Sequence, residues 1–428
     1  MKVSGLRWLM IGLIFLATII NYIDRQTVSV LKTSISQDLG LSNADYAAVQ
    51  NSFLLFYGIS QMVSGRLYDV IGTRLGFVFS IVVWSFASLA HATARTASSF
   101  AVFRAALGFG EAGNWPGAAK VVGEWLPAQE RALGMGIFNT GAAVGGALSP
   151  PLIAWLATIY GWRMTFVVTG VLGFGWLALW LVFFQTPALH RWITDAERAH
   201  ILDGRAQLDP LDRHQSTTRL SWLDLLSYRQ TWAIVMGRFI TDPIWWLYVF
   251  WLPSYLQEAR GLSLQQVGQS AWVPFLAAGA GALSGGYASG ALIARGWSVD
   301  RARKTVMIAG AMLTPAGILA MRASDPYVCL AWMAVVLFGF QVWVNNLQTL
   351  PSDFFPNSAV GSVFGLGGAA AALASITFTW GTGHIVDAFG YTPVFLLAGV
   401  MGPLGLVVTL WLAGRIGSIA IAPKELTA

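Results

Sequence analysis

The chain has 428 residues, of which 56% are hydrophobic and only 11% are charged. Soluble domains carry about 25% charged residues, so this composition excludes an ordinary soluble protein and favours a membrane bundle. The single cysteine, Cys329, excludes an internal disulfide, and the sequence shows no Cys/His spacing typical of a metal site. We therefore expect no metal and no cofactor. The net charge of +6 does not indicate nucleic-acid binding, because most basic residues lie in alternate loops.

Twelve apolar runs follow one another along the chain, each close to the roughly 20 residues that a helix needs to cross a bilayer. The runs are 7–30, 47–69, 75–94, 100–123, 131–156, 162–185, 230–255, 266–292, 303–322, 325–349, 360–385 and 391–414. No small-residue cleavage site follows the first run, so we expect it to be retained as a membrane helix. One long polar stretch separates the sixth run from the seventh. We predict an N-terminal six-helix half at 1–186, a cytoplasmic linker at 187–229 and a C-terminal half at 230–428.

The loops on the two sides of the predicted bundle differ in their number of basic residues. By the positive-inside rule, the side with more Lys and Arg faces the cytoplasm. Of the 26 Lys and Arg residues, five lie in one set of loops: Lys32, Arg95, Arg163, Arg260 and Arg322. Three lie well inside predicted spans, away from the span ends: Arg25, Arg104 and Arg238. The others lie in the opposite set, which includes both termini. We therefore predict that both termini are cytoplasmic.

Charged residues inside spans are the strongest functional signal in the sequence, because a charge in the bilayer costs several kcal/mol unless it is paired or hydrated. The first span carries Asp24 and Arg25, the fourth carries Arg104 and Glu111, and the seventh carries Arg238 and Asp242. Arg238 and Asp242 are four residues apart, so an ion pair within one helix is enough to explain them. A purely structural role remains the alternative for both groups.

The first and fourth spans predict one charged cluster. Arg104 and Glu111 are seven residues apart and share a helix face, separated by about 10 Å along the axis. Asp24 and Arg104 lie at similar depth, so we expect them to pair. Burial disfavours the charged form of Glu111, whereas nearby Arg25 favours it. A proton and a substrate anion each alter the net charge of this cluster, so the binding of one affects the binding of the other. Proton-coupled anion symport requires such a link.

Uncharged polar residues form a second group of candidate substrate contacts, since a sugar-like solute needs several donors and acceptors and an apolar wall. These candidates are Tyr22, Tyr57, Gln61, Asn139, Asn345 and Asn346, with Trp246 as a stacking surface. Asn139 is equally compatible with a hydrogen bond between helices. Glycine pairs such as Gly141 and Gly145 have the small-xxx-small spacing of closely packed membrane helices.

Three segments resemble the major facilitator superfamily. GRLYDVIGTR (65–74) resembles its loop signature between the second and third helices, RAALGFGEAGNWP (104–116) is similar to its fourth-helix pattern, and EWLPAQERA (124–132) is similar to the following loop. The resemblance covers essentially the whole chain. It implies an all-α membrane protein of twelve transmembrane helices in two six-helix halves, and a monomer. Val70 stands where the family often has a basic residue, so one contact of the usual charge relay is missing.

Within that superfamily, NYIDRQTVSV (21–30) with Arg104 and Glu111 resembles the anion:cation symporters. The resemblance implies that Arg25 contacts a substrate carboxylate, that Asp24 and Glu111 carry protons, and that Tyr57 contacts substrate. RFITDPIWWLYVFWLP (238–253) is similar to a segment of the hexuronate permeases. It favours glucuronate and galacturonate as substrates and a bacterial inner membrane as location.

The loop signature also predicts a gate. We expect Asp69, Arg74 and Arg131 to form an ion-pair latch on the cytoplasmic side, although a static loop salt bridge is the structural alternative.

The sequence favours proton-coupled uptake of a sugar acid by alternating access of the two halves. Other organic anions (aldonates, aldarates or aromatic acids) are the alternative substrates. A membrane sensor is a second alternative, but no signalling domain is visible. An enzyme is the least favoured, because the five histidines lie near loops or helix ends.

Overall fold

A computed structural model describes residues 2, 4–206, 222–355, 357–417 and 419. Within this part, the structure consists of helices and the turns between them, without a β-strand. The helices are α1 (Leu6–Val30), α2 (Lys32–Leu39), α3 (Asn43–His91), α4 (Ala97–Glu111), α5 (Asn114–Trp125), α6 (Ala128–Phe183), α7 (Asp195–Ala206), α8 (Trp222–Leu226), α9 (Arg229–Glu258), α10 (Leu264–Ser270), α11 (Trp272–Ala294), α12 (Val299–Ala311), α13 (Ala316–Arg322), α14 (Pro326–Phe354), α15 (Asn357–Phe389) and α16 (Thr392–Ala413). Every predicted span coincides with one or two of these helices.

Eight described helical stretches are long and apolar enough to cross a membrane. Three predicted spans fall outside this set: 47–69, 100–123 and 230–255. Two of the three carry the buried charges of Arg104, Glu111, Arg238 and Asp242, which lower their hydropathy. The first span also carries two buried charges, Asp24 and Arg25, but it is apolar enough to remain in the set.

Glycine allows two sharp turns between predicted spans. The second and third spans meet inside α3 at Gly72 (φ 80°, ψ 162°), and the fifth and sixth meet inside α6 at Gly161 (φ 77°, ψ 168°). A side chain strongly disfavours positive φ, whereas glycine adopts it freely. The two glycines therefore permit a change of direction without a long loop.

Prolines account for three helix breaks inside predicted spans. The chain leaves the helix after Glu111, Ser270 and Ala311, four or five residues before Pro116, Pro274 and Pro315. A proline ring clashes with the carbonyl four residues earlier and cannot donate a hydrogen bond to it. Pro150 and Pro151 lie inside continuous helix α6, so proline alone does not determine a break. The break at Pro116 puts Glu111 at the end of α4.

The chain divides into two compact units. Unit 1 comprises Met1–Leu211, Tyr248–Leu276 and Thr379–Tyr391, and unit 2 comprises Asp212–Leu247, Ala277–Phe378 and Thr392–Ala428. These units do not follow the predicted residue boundaries of the two halves, 1–186 and 230–428, and those boundaries stay predictions.

Hydrogen bonds from a buried lysine connect the first segment of unit 1 to its second and third segments. Lys32, only 2% exposed, donates to both carboxylate oxygens of Glu258 at 3.0 Å and to the Tyr391 hydroxyl at 3.1 Å. It also donates to the Asn43 side chain. Burial lowers the pKa of the Lys32 ammonium below its usual value, and Glu258 opposes that shift. A pairing partner is what makes a buried ammonium tolerable.

Close packing of α1 on α6 depends on glycine. A Cβ atom at Gly145 would lie 2.8 Å from the Tyr22 Cβ and 2.9 Å from the Ile19 carbonyl oxygen. A Cβ atom at Gly141 would lie 2.9 Å from the Phe15 carbonyl oxygen. The predicted small-residue contact is therefore formed, and it positions the segment of α1 that carries Tyr22.

Gly145→Ala should lower stability, because the new methyl group would push α1 away from α6 at a cost of about 1–3 kcal/mol. Gly136→Ala on the same helix is the matched control, since a Cβ there meets nothing within 4 Å. Alanine at that position should stabilise the helix by about 0.5–1 kcal/mol. Thermal unfolding of both variants in detergent checks this, and equal melting temperatures would contradict the packing.

Candidate functional site

An ion pair between Arg25 on α1 and Glu111 on α4 lies at the centre of the candidate site in unit 1. Nε and Nη2 of Arg25 both donate to Oε2 of Glu111, at 3.0 and 2.9 Å. The side chains are 2% and 0% exposed. Nη2 also donates to Asn21 Oδ1 at 2.9 Å, one helical turn earlier on α1. Glu111 Oε1 has no hydrogen-bond partner, so the pair retains a free acceptor.

Three aromatic rings surround the Arg25 guanidinium. Its carbon lies 4.8 Å from the ring centroid of Tyr22, 5.2 Å from Phe53 and 5.0 Å from Tyr57. The faces of aromatic rings attract a cation, and they exclude water. The charge of Arg25 is therefore presented in a low-dielectric environment, where an anion binds it more strongly than in water.

Arg104 supports this arrangement through the backbone of its neighbour. Nη2 of Arg104 donates to the Arg25 carbonyl oxygen at 3.0 Å, and both Nε and Nη2 donate to Gln50 Oε1, at 3.1 and 2.9 Å. The Phe53 ring lies 4.5 Å from its guanidinium carbon. Arg104 is fully buried, and its Nη1 has no partner. This second cation faces a neutral amide rather than a carboxylate.

Asp24 lies in the same region but does not pair with Arg104, contrary to the sequence prediction. Its Oδ1 accepts a hydrogen bond from Ser88 at 2.8 Å, and Ser88 lies 3.4 Å from the Thr169 hydroxyl. Consecutive residues on a helix point about 100° apart, so Asp24 faces α3 and α6 while Arg25 faces α4. Asp24 is fully buried, and its Oδ2 has no hydrogen-bond partner.

The other polar candidates are dispersed. Gln61 and Asn139 are exposed, and Trp246 in unit 2 is half-buried. Asn345 Nδ2 donates to the Ala282 carbonyl at 2.7 Å, and Asn346 Nδ2 donates to the Gly285 carbonyl at 3.2 Å. Both amides therefore connect α14 to α11. The substrate-binding roles of these residues stay predictions.

The predicted gate falls partly outside the described structure, because the side chains of Asp69 and Arg131 are not described. Arg74 Nη2 donates to the Leu181 carbonyl oxygen at 2.7 Å near the end of α6. The latch stays a prediction.

Sequence reasoning did not identify several residues that position the cluster: Asn21, Gln50, Phe53, Ser88 and Thr169. A signal existed for two of them. Asn21 precedes Arg25 by one helical turn, and Gln50 is an amide inside a predicted membrane span. Ser88 and Thr169 resemble the many small hydroxyl residues that bond their own helix backbone, so their role depends on tertiary structure.

Glu111→Leu should strongly destabilise the protein, because an arginine cannot lose its proton and Arg25 would remain buried without a carboxylate. Breaking a buried pair costs about 3–5 kcal/mol, whereas replacing both partners with apolar residues is often nearly neutral. The double variant Arg25→Met/Glu111→Leu should therefore recover most of the stability. Thermal unfolding in detergent measures both, and a double variant less stable than Glu111→Leu would contradict this interpretation.

Comparison with known proteins identifies the family. The Major Facilitator Superfamily matches residues 14–379. A hexuronate transporter of Escherichia coli K12 is 33% identical over 411 residues, which is 95% of this chain and 94% of that protein. A galacturonate transporter of Dickeya chrysanthemi is 33% identical over 337 residues, which is 78% of this chain and 96% of that protein.

The fold is shared with solved structures. A bacterial homolog of the human lysosomal transporter Spinster superposes with a TM-score of 0.78 at 15% identity, covering 97% of this chain and 98% of that one. The predicted all-α membrane fold of twelve transmembrane helices in two six-helix halves is thereby confirmed. The chain belongs to the major facilitator superfamily and is a membrane transporter rather than an enzyme.

Proposed function

We propose that this protein is a proton-coupled symporter that carries hexuronates such as glucuronate and galacturonate into a bacterial cell across the inner membrane. Both termini are cytoplasmic in this proposal, and the protein acts as a monomer. The main observation that supports the proposal is the buried Arg25–Glu111 pair, with the buried Asp24 next to Arg25 on α1. The similarity to hexuronate and galacturonate transporters supports the substrate class.

The charge balance of the cluster supports coupling to a proton. Two cations, Arg25 and Arg104, are buried with two carboxylates, Asp24 and Glu111. When both carboxylates are ionised, the cluster is neutral. An incoming anion adds one negative charge in a low-dielectric region, where an uncompensated charge is costly. One proton restores neutrality, so anion and proton enter together at the lowest cost.

Exchange of partners supplies the mechanism. The substrate carboxylate competes with Glu111 for the guanidinium of Arg25, since both are planar acceptors for the same donors. Once Arg25 binds the substrate, Glu111 loses its counterion and takes up a proton, because burial disfavours its charged form. Asp24 already lacks a bonded cation and is a second position for a proton. Movement of the two six-helix halves then exposes the loaded site to the cytoplasm.

Uptake by the purified protein in liposomes tests the proposal. Labelled glucuronate should accumulate only with an inward proton gradient, by about tenfold per pH unit if one proton accompanies each anion. Glu111→Gln keeps an amide oxygen that can accept from Arg25, as Gln50 does from Arg104, so this variant should still bind glucuronate. It should lose accumulation, because it cannot exchange a proton.

Asp38→Asn is the matched control, since Asp38 forms a surface ion pair with Arg163 and is 44% exposed. It should accumulate glucuronate like the original protein. If Glu111→Gln still concentrated glucuronate, Glu111 would not be the coupling group. If the original protein took up no glucuronate, the substrate proposal would be wrong, and aldonates, aldarates and aromatic acids would be tested in its place.

A further inference from the structure

Unit 2 contains its own intramembrane ion pair, which the function proposed above does not use. On α9, Nε and Nη2 of Arg238 donate to Oδ2 of Asp242, at 3.0 and 2.8 Å. Both donors bond the same oxygen. A structural arginine–carboxylate pair often uses two parallel bonds to two oxygens. Here Asp242 Oδ1 and Arg238 Nη1 both have no hydrogen-bond partner.

The unpartnered atoms distinguish this pair from a structural one in the same unit. Arg303 donates to Asp353 at 2.9 Å, and its Nη1 donates to Ser289 at 2.9 Å and to Asn346 at 3.3 Å. The two pairs are similarly buried: the side chains of Arg303 and Asp353 are each 16% exposed, and those of Arg238 and Asp242 are 12% and 11% exposed. An unsatisfied buried donor or acceptor is costly, so the free atoms of Arg238 and Asp242 require an explanation.

Two glycines and an aromatic ring lie next to the Arg238 guanidinium. A Cβ atom at Gly367 would lie 3.8 Å from Nη1, and one at Gly368 would lie 3.6 Å from it. The guanidinium therefore faces helix α15 where that helix carries no side chain. The Phe364 ring, whose centroid lies 5.3 Å from the guanidinium carbon, supplies an apolar wall. An apolar wall with a few fixed polar atoms is typical of a small-molecule site.

We propose that Arg238 and Asp242 form a hydroxyl-binding subsite of unit 2, in which Nη1 donates to a substrate hydroxyl and Oδ1 accepts from one. The inference rests on the proposed function, since it assigns a contact to the sugar acid. A hydroxyl group both donates and accepts, so it satisfies the free donor and the free acceptor. Because the pair is neutral as a whole, it offers no net attraction to a second carboxylate.

This charge balance makes Asp242 a specificity determinant. Glucuronate and glucarate share a carbon skeleton, but glucarate carries a carboxylate at both ends. Next to a second carboxylate of the solute, the carboxylate of Asp242 is repulsive, and like-charge contact is an effective way to reject a competitor. The subsite therefore selects monocarboxylate sugar acids over diacids.

The test is equilibrium binding of glucuronate and glucarate to the purified full-length protein by calorimetry. Asp242→Asn leaves Arg238 with an uncompensated charge, so the affinity ratio of glucarate to glucuronate should rise about tenfold, which is the effect of one charge-assisted hydrogen bond. Asp353→Asn is the matched control and should leave this ratio unchanged.

A second variant keeps the test valid if Asp242→Asn folds poorly. Arg238→Met/Asp242→Leu removes both charges, so it should remain folded and bind glucuronate about tenfold more weakly. Unchanged glucuronate affinity in this double variant, or an unchanged ratio in folded Asp242→Asn, would overturn the subsite while leaving the proposed function intact. An original protein that bound neither acid would overturn both.

Discussion

The guanidinium group of Arg25 cannot lose its proton and lies almost fully buried in unit 1, where an anionic partner stabilises it. Glu111 is that partner for Arg25. The features around the pair hold the two residues together: the glycine contact that positions α1 on α6, the helix break that puts Glu111 at the end of α4, and the bond from Arg104 to the Arg25 carbonyl. Because both side chains are buried, this interaction is stronger than it would be in water.

The same constraint gives the pair its function. In water, Arg25 would release Glu111 at little cost. In the buried site, Arg25 releases Glu111 only when another anion takes its place. A substrate carboxylate that displaces Glu111 leaves a buried carboxylate behind, and a proton is the simplest way to neutralise it. The contrast with unit 2 is informative, because Arg238 and Asp242 are tied within one helix and remain neutral together. One pair is suited to recognise charge, and the other to recognise hydroxyl groups.

Sequence patterns predicted the spans and the charged cluster because both depend on local chemistry. Apolar length predicts a membrane helix, and a charge inside such a helix is costly enough to indicate function. The helix breaks before Pro116, Pro274 and Pro315 were not predicted, although each proline is visible in the sequence, because Pro150 and Pro151 lie in unbroken helix. Whether a proline breaks a helix depends on neighbours that satisfy the freed carbonyl.

The contacts that a side chain makes were harder to predict from the sequence than the positions of the spans and of the charged residues. Depth along the helices favoured an Asp24–Arg104 contact, but rotation about the α1 axis turns Asp24 towards Ser88 instead. Lys32 lies in a predicted loop between two spans, yet it is buried and bonded to Glu258 and Tyr391, residues more than 200 positions away. Such contacts depend on how distant segments pack, which no spacing within a helix reveals.

The central claim is that anion binding at Arg25 obliges a carboxylate of the cluster to take up a proton. Its most direct test is proton movement driven by the substrate itself, in liposomes that contain a pH-sensitive dye and start with equal pH on both sides. Adding glucuronate outside should acidify the interior in proportion to the glucuronate that enters, and Glu111→Gln should abolish this acidification. Entry of glucuronate without any change of internal pH would contradict the account.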